Sequence, residues 1–204
     1  DDMISDLANN TIKHADGERL MTTEELLSMI EQFLVAGNET TTSATTGGML
    51  CLIQLSDQLD ILLDDPGMID NAVEEILRFE SPSAGLWRVV TMDTEIQGVA
   101  IPKGALLQLR YAAANRDERV FDKPDSMDVC RQNAGDNIAF GYGTHFCPGA
   151  FLARKEMQVA FSRLLQRLTD IQLAEGKNDL THWPNMVLRG LKELHITFGR
   201  RPAA

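Results

Sequence analysis

The feature that most restricts the fold is a helical stripe with an expensive middle. Leu27, Ile30, Leu34, Gly37 and Thr41 recur at helical spacing, which predicts one continuous helical face from Thr23 to about Leu55. Thr22-Thr23-Glu24-Glu25 opens it as a capping box. Yet between Gly37 and Gly48 lie three glycines, five threonines and one serine. Against alanine these cost roughly 6 kcal/mol, at ~1 per glycine and ~0.5 per threonine or serine. A chain that keeps this helix must offset the cost by close packing or by function.

The remaining pattern is mainly helical at first. Asp2 to Asn10 is a short helix candidate, followed by a turn at Asp16-Gly17. A helix starts at Ser56, and another opens with Pro66 in its first turn and buries Ile69, Val73, Ile76 and Leu77 before Ser81-Pro82 ends it. The period then changes. Trp87 to Met92, Glu95 to Ile101 and Ala105 to Arg110 read as strands of a small antiparallel sheet, punctuated by Asp93, Gly98 and Pro102-Lys103-Gly104. From Asn115 to Ala139 there is almost no periodicity, which in a compact domain points to function or disorder. Pro148 then opens a helix carrying Phe151, Leu152, Val159, Leu164 and Leu168. Strand candidates follow at Met186 to Arg189 and at Leu194, Ile196 and Phe198.

Composition excludes several classes of function. With 19 basic and 30 acidic residues among 204, the net charge of -11 opposes nonspecific binding to nucleic acid or anionic lipid. The longest apolar run, Met49 to Ile53, is far short of the ~18 residues of a membrane span. Cys51, Cys130 and Cys147 form no C-x-x-C pair and no closed disulfide set, so a reducing compartment is expected.

Chemistry concentrates at Phe140-Gly141-Tyr142-Gly143-Thr144-His145-Phe146-Cys147-Pro148-Gly149, a glycine loop that delivers one cysteine to the start of a helix. Unpaired amides and the positive dipole end favour a thiolate there, which suits a nucleophile or a metal ligand. A lone cysteine is otherwise a small buried hydrophobe. Two glycines at spacing two let the backbone pass close under something flat and bulky, and His145 can donate to an anionic group. Glu75-Ile76-Leu77-Arg78 sets two charges on one helix face. In isolation that is a solvated pair worth about 0 to 1 kcal/mol.

The cysteine loop matches F-G-x-G-x-H-x-C-x-G at every fixed position and resembles that of the cytochrome P450 family of haem-thiolate enzymes. Three further segments resemble the family in its order: Ala36-Gly37-Asn38-Glu39-Thr40-Thr41, Glu75 to Arg78, and Asp128-Val129-Cys130-Arg131. The resemblance implies a mainly α fold with small antiparallel sheets. It makes residues 1–204 the C-terminal, haem-binding part of one domain whose N-terminal half is absent, and predicts that Leu27 to Leu34 lack a packing partner.

The family pattern implies Cys147 as the iron ligand, with Phe140, Gly141, Gly149 and Ala36 against haem b. Arg88 and His145 would reach its propionates, and Glu39 and Thr40 would relay protons, a threonine hydroxyl opening the helix locally. Glu75, Arg78 and Arg131 would form a buried structural triad. The implied reaction is a monooxygenation of a small organic substrate by dioxygen, in a soluble, cytoplasmic, bacterial-type enzyme that draws electrons from NAD(P)H through a ferredoxin and its reductase. Arg116, Arg119, Arg154 and Lys155 are candidates for steering that partner, and Ser83 to Leu86 with Met186 to Leu188 for touching substrate. Two positions depart from the pattern. Asn137 stands where many members carry histidine, and Pro148 removes an amide that would donate to the thiolate.

Overall fold

A computed structural model describes residues 2–202 of the chain. They fall into two compact units, one reaching to Glu39 and the other starting at Thr40. The protein is mainly helical with small antiparallel sheets.

The first unit holds α1 (Met3–Asn9), the hairpin of β1 (Thr11–His14) and β2 (Gly17–Leu20), and the beginning of α2 (Thr23–Gln54). Asp2 caps α1 by accepting from the Ser5 N–H at 2.9 Å. The turn at Asp16-Gly17 is present, with Gly17 at φ 123°, but its flanking strands escape a sequence reading because Thr11-Ile12-Lys13-His14 contains one apolar residue. The capping box forms as expected. Thr22 Oγ1 accepts from the Glu25 N–H at 3.2 Å, and the Thr22 N–H donates to Glu25 Oε2 at 2.9 Å. Leu27 and Leu34 are 61% and 63% exposed.

In the second unit the core gathers Ala44, Met49 and Leu52 of α2, Leu59 and Leu62 of α3 (Ser56–Asp64), and Ile69, Val73, Ile76 and Leu77 of α4 (Ile69–Glu80). Met157, Phe161 and Leu165 of α6 (Ala150–Arg167) complete it. The glycines of α2 divide by purpose. A Cβ at Gly47 would stand 2.5 Å from Glu80 Oε2, and one at Gly48 2.6 Å from Ile76 Cγ2, whereas one at Gly37 would meet nothing. Close packing on α4 therefore accounts for the last two. Pro66 opens a separate 3₁₀ turn, Pro66–Met68, in which Asp65 accepts from the Gly67 N–H, and α4 follows from Ile69. It ends at Ser81, in the left-handed region at φ 43°.

The strands differ from expectation in grouping. β3 (Leu86–Val89) pairs antiparallel with β6 (Leu106–Leu109), while Glu95 to Ile101 folds on itself as β4 (Thr94–Ile96) and β5 (Val99–Ile101). Gln97 and Gly98, at φ 50° and 81°, make that turn. After α5 (Tyr111–Ala114), residues 115–139 lack regular structure apart from a 3₁₀ turn at Ala134–Asp136. α6 starts at Ala150, two residues later than Pro148 suggests, and buries Ala150, Met157, Phe161 and Leu165 while Phe151, Leu152 and Val159 stay exposed. β7 (Leu168–Leu173) pairs with β8 (Ile196–Arg200). The sequence hides β7 because Leu164 and Leu168 continue the helical spacing. Met186 to Arg189 makes only an isolated bridge, Ser83 to Leu188, flanked by the Ala84 N–H to Val187 O bond at 2.7 Å and the Arg189 N–H to Pro82 O bond at 2.8 Å.

Candidate functional site

The cysteine loop is built almost wholly from its own backbone. Gly141 and Gly143, at φ 74° and 71°, turn the chain twice in a sense that side chains resist. The Gly141 N–H donates to Ile138 O at 2.9 Å, and the Phe146 N–H to Gly143 O at 2.9 Å. The Cys147 N–H then closes the loop on Phe140 O at 3.0 Å. Pro148 and Gly149 form a turn in which the Ala150 N–H reaches Cys147 O at 3.3 Å. Cys147 therefore sits just ahead of α6, and Pro148 lies in that turn instead of the first helical position. The sulfur is half-buried, and a Cβ on Gly149 would lie 3.8 Å from it, so backbone runs alongside the thiol. The rings of Phe140 and Phe146 stand 6.4 Å apart, tilted by 59°.

A buried charge cluster joins α4 to segment 115–139. Glu75, Arg78 and Arg131 are 0%, 0% and 8% exposed. Arg78 clasps Glu75 through Nε and Nη2 at 2.7 and 2.8 Å, and Arg131 Nε reaches both oxygens at 3.0 and 3.1 Å. The remaining guanidinium protons go to backbone. Arg78 donates to the carbonyls of Asn115, Pro124 and Ser126, and Arg131 to those of Asp122, Lys123 and Ser126. Such satisfaction is what lets two positive groups and one negative remain out of water. Segment 115–139 thus takes its order from two arginines.

Other sequence candidates are scattered. Arg88 is half-buried on β3 and donates to Trp87 O at 2.8 Å, while His145 is exposed at the end of the 3₁₀ turn Gly143–His145. On α2, Ala36 and Glu39 are exposed in the first unit, and Thr40 is half-buried in the second. The helix stays unbroken there. Threonine back-bonding is seen on this helix from Thr45 Oγ1 to Thr41 O at 2.8 Å and from Thr46 Oγ1 to Thr42 O. Three of the proposed steering cations are engaged within the chain: Arg116 with Asp125 at 2.8 Å and stacked over Phe79, Arg119 with Asp117, and Arg154 with Glu74, both at 2.5 Å. The substituted Asn137 spends its amide on Glu74 Oε2 at 3.1 Å and Ala134 O at 2.9 Å. Sequence reasoning misses Glu74, whose partners lie 63 and 80 residues away.

Among the described residues, no three or more His, Cys, Asp or Glu side chains gather as a metal site. Cys147 is a single thiolate donor. It does not suit zinc, which takes several side-chain ligands, and suits a metal whose other ligands arrive in a prosthetic group. With tilted aromatic rings and close-running backbone beside the thiol, the residues present fit a haem. No helix of the described residues is long and apolar enough to cross a membrane.

Comparison with known proteins agrees with this geometry. The family model for cytochrome P450 matches residues 66–198. The chain is 41% identical to vitamin D(3) 25-hydroxylase of Pseudonocardia autotrophica, over 94% of this chain and 47% of that protein. It is 38% identical to steroid C26-monooxygenase of Mycobacterium tuberculosis, over 99% and 53%. Among solved structures, cytochrome P450 CYP109Q5 from Chondromyces apiculatus superposes with a TM-score of 0.90 at 36% identity, covering 99% of this chain and 50% of that one. The chain spans about half the length of the curated relatives it matches. Matched by family model, sequence and fold, the chain belongs to the cytochrome P450 family.

Proposed function

We propose that this chain is the haem-binding portion of a haem-thiolate monooxygenase that inserts one atom of dioxygen into a small organic substrate and releases the other as water. The observation that carries the reading is the lone, half-buried thiol of Cys147 at the mouth of a backbone-closed loop. Haem b, when bound, supplies the redox chemistry that activates dioxygen. Cys147 Sγ ligates its iron, and Phe140, Gly141, Gly149 and Ala36 shape the faces it meets. Arg88 and His145 neutralise its propionates. The Thr40 hydroxyl would serve as a proton donor on the haem side of α2, and the Glu39 carboxylate would resupply it. Two electrons come from NAD(P)H through a ferredoxin and its reductase, in the cytoplasm. Glu75, Arg78 and Arg131 hold segment 115–139 so that the cysteine loop has a fixed support.

The test is the ferrous protein with carbon monoxide, which gives a strongly red-shifted Soret band only with thiolate-ligated haem. Cys147→Ser should abolish that band. A wild-type protein without it overturns the reading. A second reading, haem binding without turnover by this chain alone, is favoured by its covering 47% of the hydroxylase it resembles. Product formation driven by NADPH separates the two. Pro148 offers a finer prediction. Lacking an amide, it leaves the thiolate one donor short and should hold the iron potential low. Pro148→Leu should raise the ferric/ferrous potential, and an unchanged or lower value would refute the idea.

A further inference from the structure

Glu74 stands beside Glu75 on α4, yet serves a different part of the molecule. Its carboxylate takes Arg154 Nε at 2.5 Å and Arg154 Nη2 at 3.1 Å from α6, and Asn137 Nδ2 at 3.1 Å from the segment entering the cysteine loop. Both side chains are mostly buried, 19% and 28% exposed. Arg154 then lies over the loop itself, its Cζ 4.5 Å from the centroid of the Phe140 ring. Phe140 is the residue whose carbonyl accepts the Cys147 N–H at 3.0 Å. One ring and one backbone hydrogen bond thus join the ion pair to the cysteine, and the pair bridges the segments before and after it.

We propose that Glu74 and Arg154 are positioning residues for Cys147. Arg154 presses Phe140 into the conformation that closes the loop, and Glu74 fixes Arg154 while cancelling its charge in the field around the sulfur. The proposal rests on the haem-thiolate reading. It assigns Arg154, a candidate for steering an electron donor, to the interior architecture of the site.

A neutral pair and its two broken forms differ in charge, which gives the test its sign. Glu74→Gln leaves a positive guanidinium beside the site and stabilises the reduced iron. Arg154→Gln leaves a negative carboxylate and stabilises the oxidised iron. In the haem-loaded, full-length protein the ferric/ferrous potential should therefore rise in Glu74→Gln, fall in Arg154→Gln, and return near wild type in the double variant. Shifts of one sign in both single variants, or none in either, would mean a merely structural role and overturn the proposal. Arg154→Lys keeps the charge and loses the guanidinium over the Phe140 ring. It should leave the potential near wild type while the thiolate-type carbon monoxide band decays several-fold faster, and equal durability would refute the positioning role. Absence of the band in wild type is a separate failure, that of the haem-thiolate reading.

Discussion

Segments 94–101 and 115–139 reverse the usual relation between regularity and burial. The first is a regular hairpin, β4 and β5, whose residues are exposed apart from half-buried Ile101. The second has almost no regular structure, yet it buries Phe121, Met127, Val129, Arg131 and Ala134. The hairpin is held by its own backbone ladder. The irregular segment is held by side chains, the guanidinium groups of Arg78 on α4 and of its own Arg131, which take the place of a ladder for its carbonyls. Order in this molecule is set by who satisfies the backbone, and a buried charge cluster can do it as fully as a strand partner.

The comparison is most directly broken at Glu75. Glu75→Gln leaves two buried guanidiniums without their anion, and should lower stability by about 3 to 5 kcal/mol. The denaturant midpoint of the full-length protein measures this, and a loss below about 1 kcal/mol would mean that segment 115–139 does not depend on the cluster. Asn115→Ala is the next step down. Asn115 is buried, donates to Ser81 Oγ at 2.9 Å and accepts from the Ile138 N–H at 2.8 Å, so its loss should cost about 1 to 3 kcal/mol by the same assay. In the hairpin, Gly98→Ala meets no neighbour but must hold φ near 81°, a strain of about 1 to 2 kcal/mol. Its effect should be confined to amide exchange in residues 94–101, and loss of protection in 115–139 would show that the two segments are coupled.

The smallest effect belongs to the exposed cap of α2. Hydrogen bonds from Arg19 and then from the Thr22 N–H hold the Glu25 carboxyl at about 2, down from 4.5. A lowered carboxyl contributes stability in full above about 4.5 and loses it as pH falls from there through about 2. The Glu25 side-chain titration followed by NMR should show the low midpoint, and Arg19→Ala should move it back toward 4.5. A midpoint already near 4.5 in wild type would show that a half-buried pair of this kind is not held.

What the sequence discloses follows from the range of each interaction. The Thr22–Glu25 box is readable because its partners lie three residues apart, and the buried stripe Ile69, Val73, Ile76 and Leu77 because its helical spacing is itself local. Arg131 meets Glu75 across 56 residues, and only a family pattern anticipates that pairing. Glu74 carries no such pattern. Beside another glutamate it looks like a solvated acid, and nothing local to Asn137 or Arg154 points back to it. Phe151 misleads for a related reason. A phenylalanine at the start of an amphipathic helix reads as core, yet it is 83% exposed because α6 turns Ala150 and Met157 inward.

Arg78 and Arg131 recognise main-chain oxygens at Asn115, Asp122, Lys123, Pro124 and Ser126, atoms that every amino acid carries. At Asp122 the path of the chain is therefore written in the arginines, whereas Lys123, at φ 45°, and Pro124, with its ring-fixed φ, carry part of it themselves. Exposed Asp122 is thus a position that evolution or an engineer can rewrite, changing the charge of the surface there while leaving its trace in space unchanged.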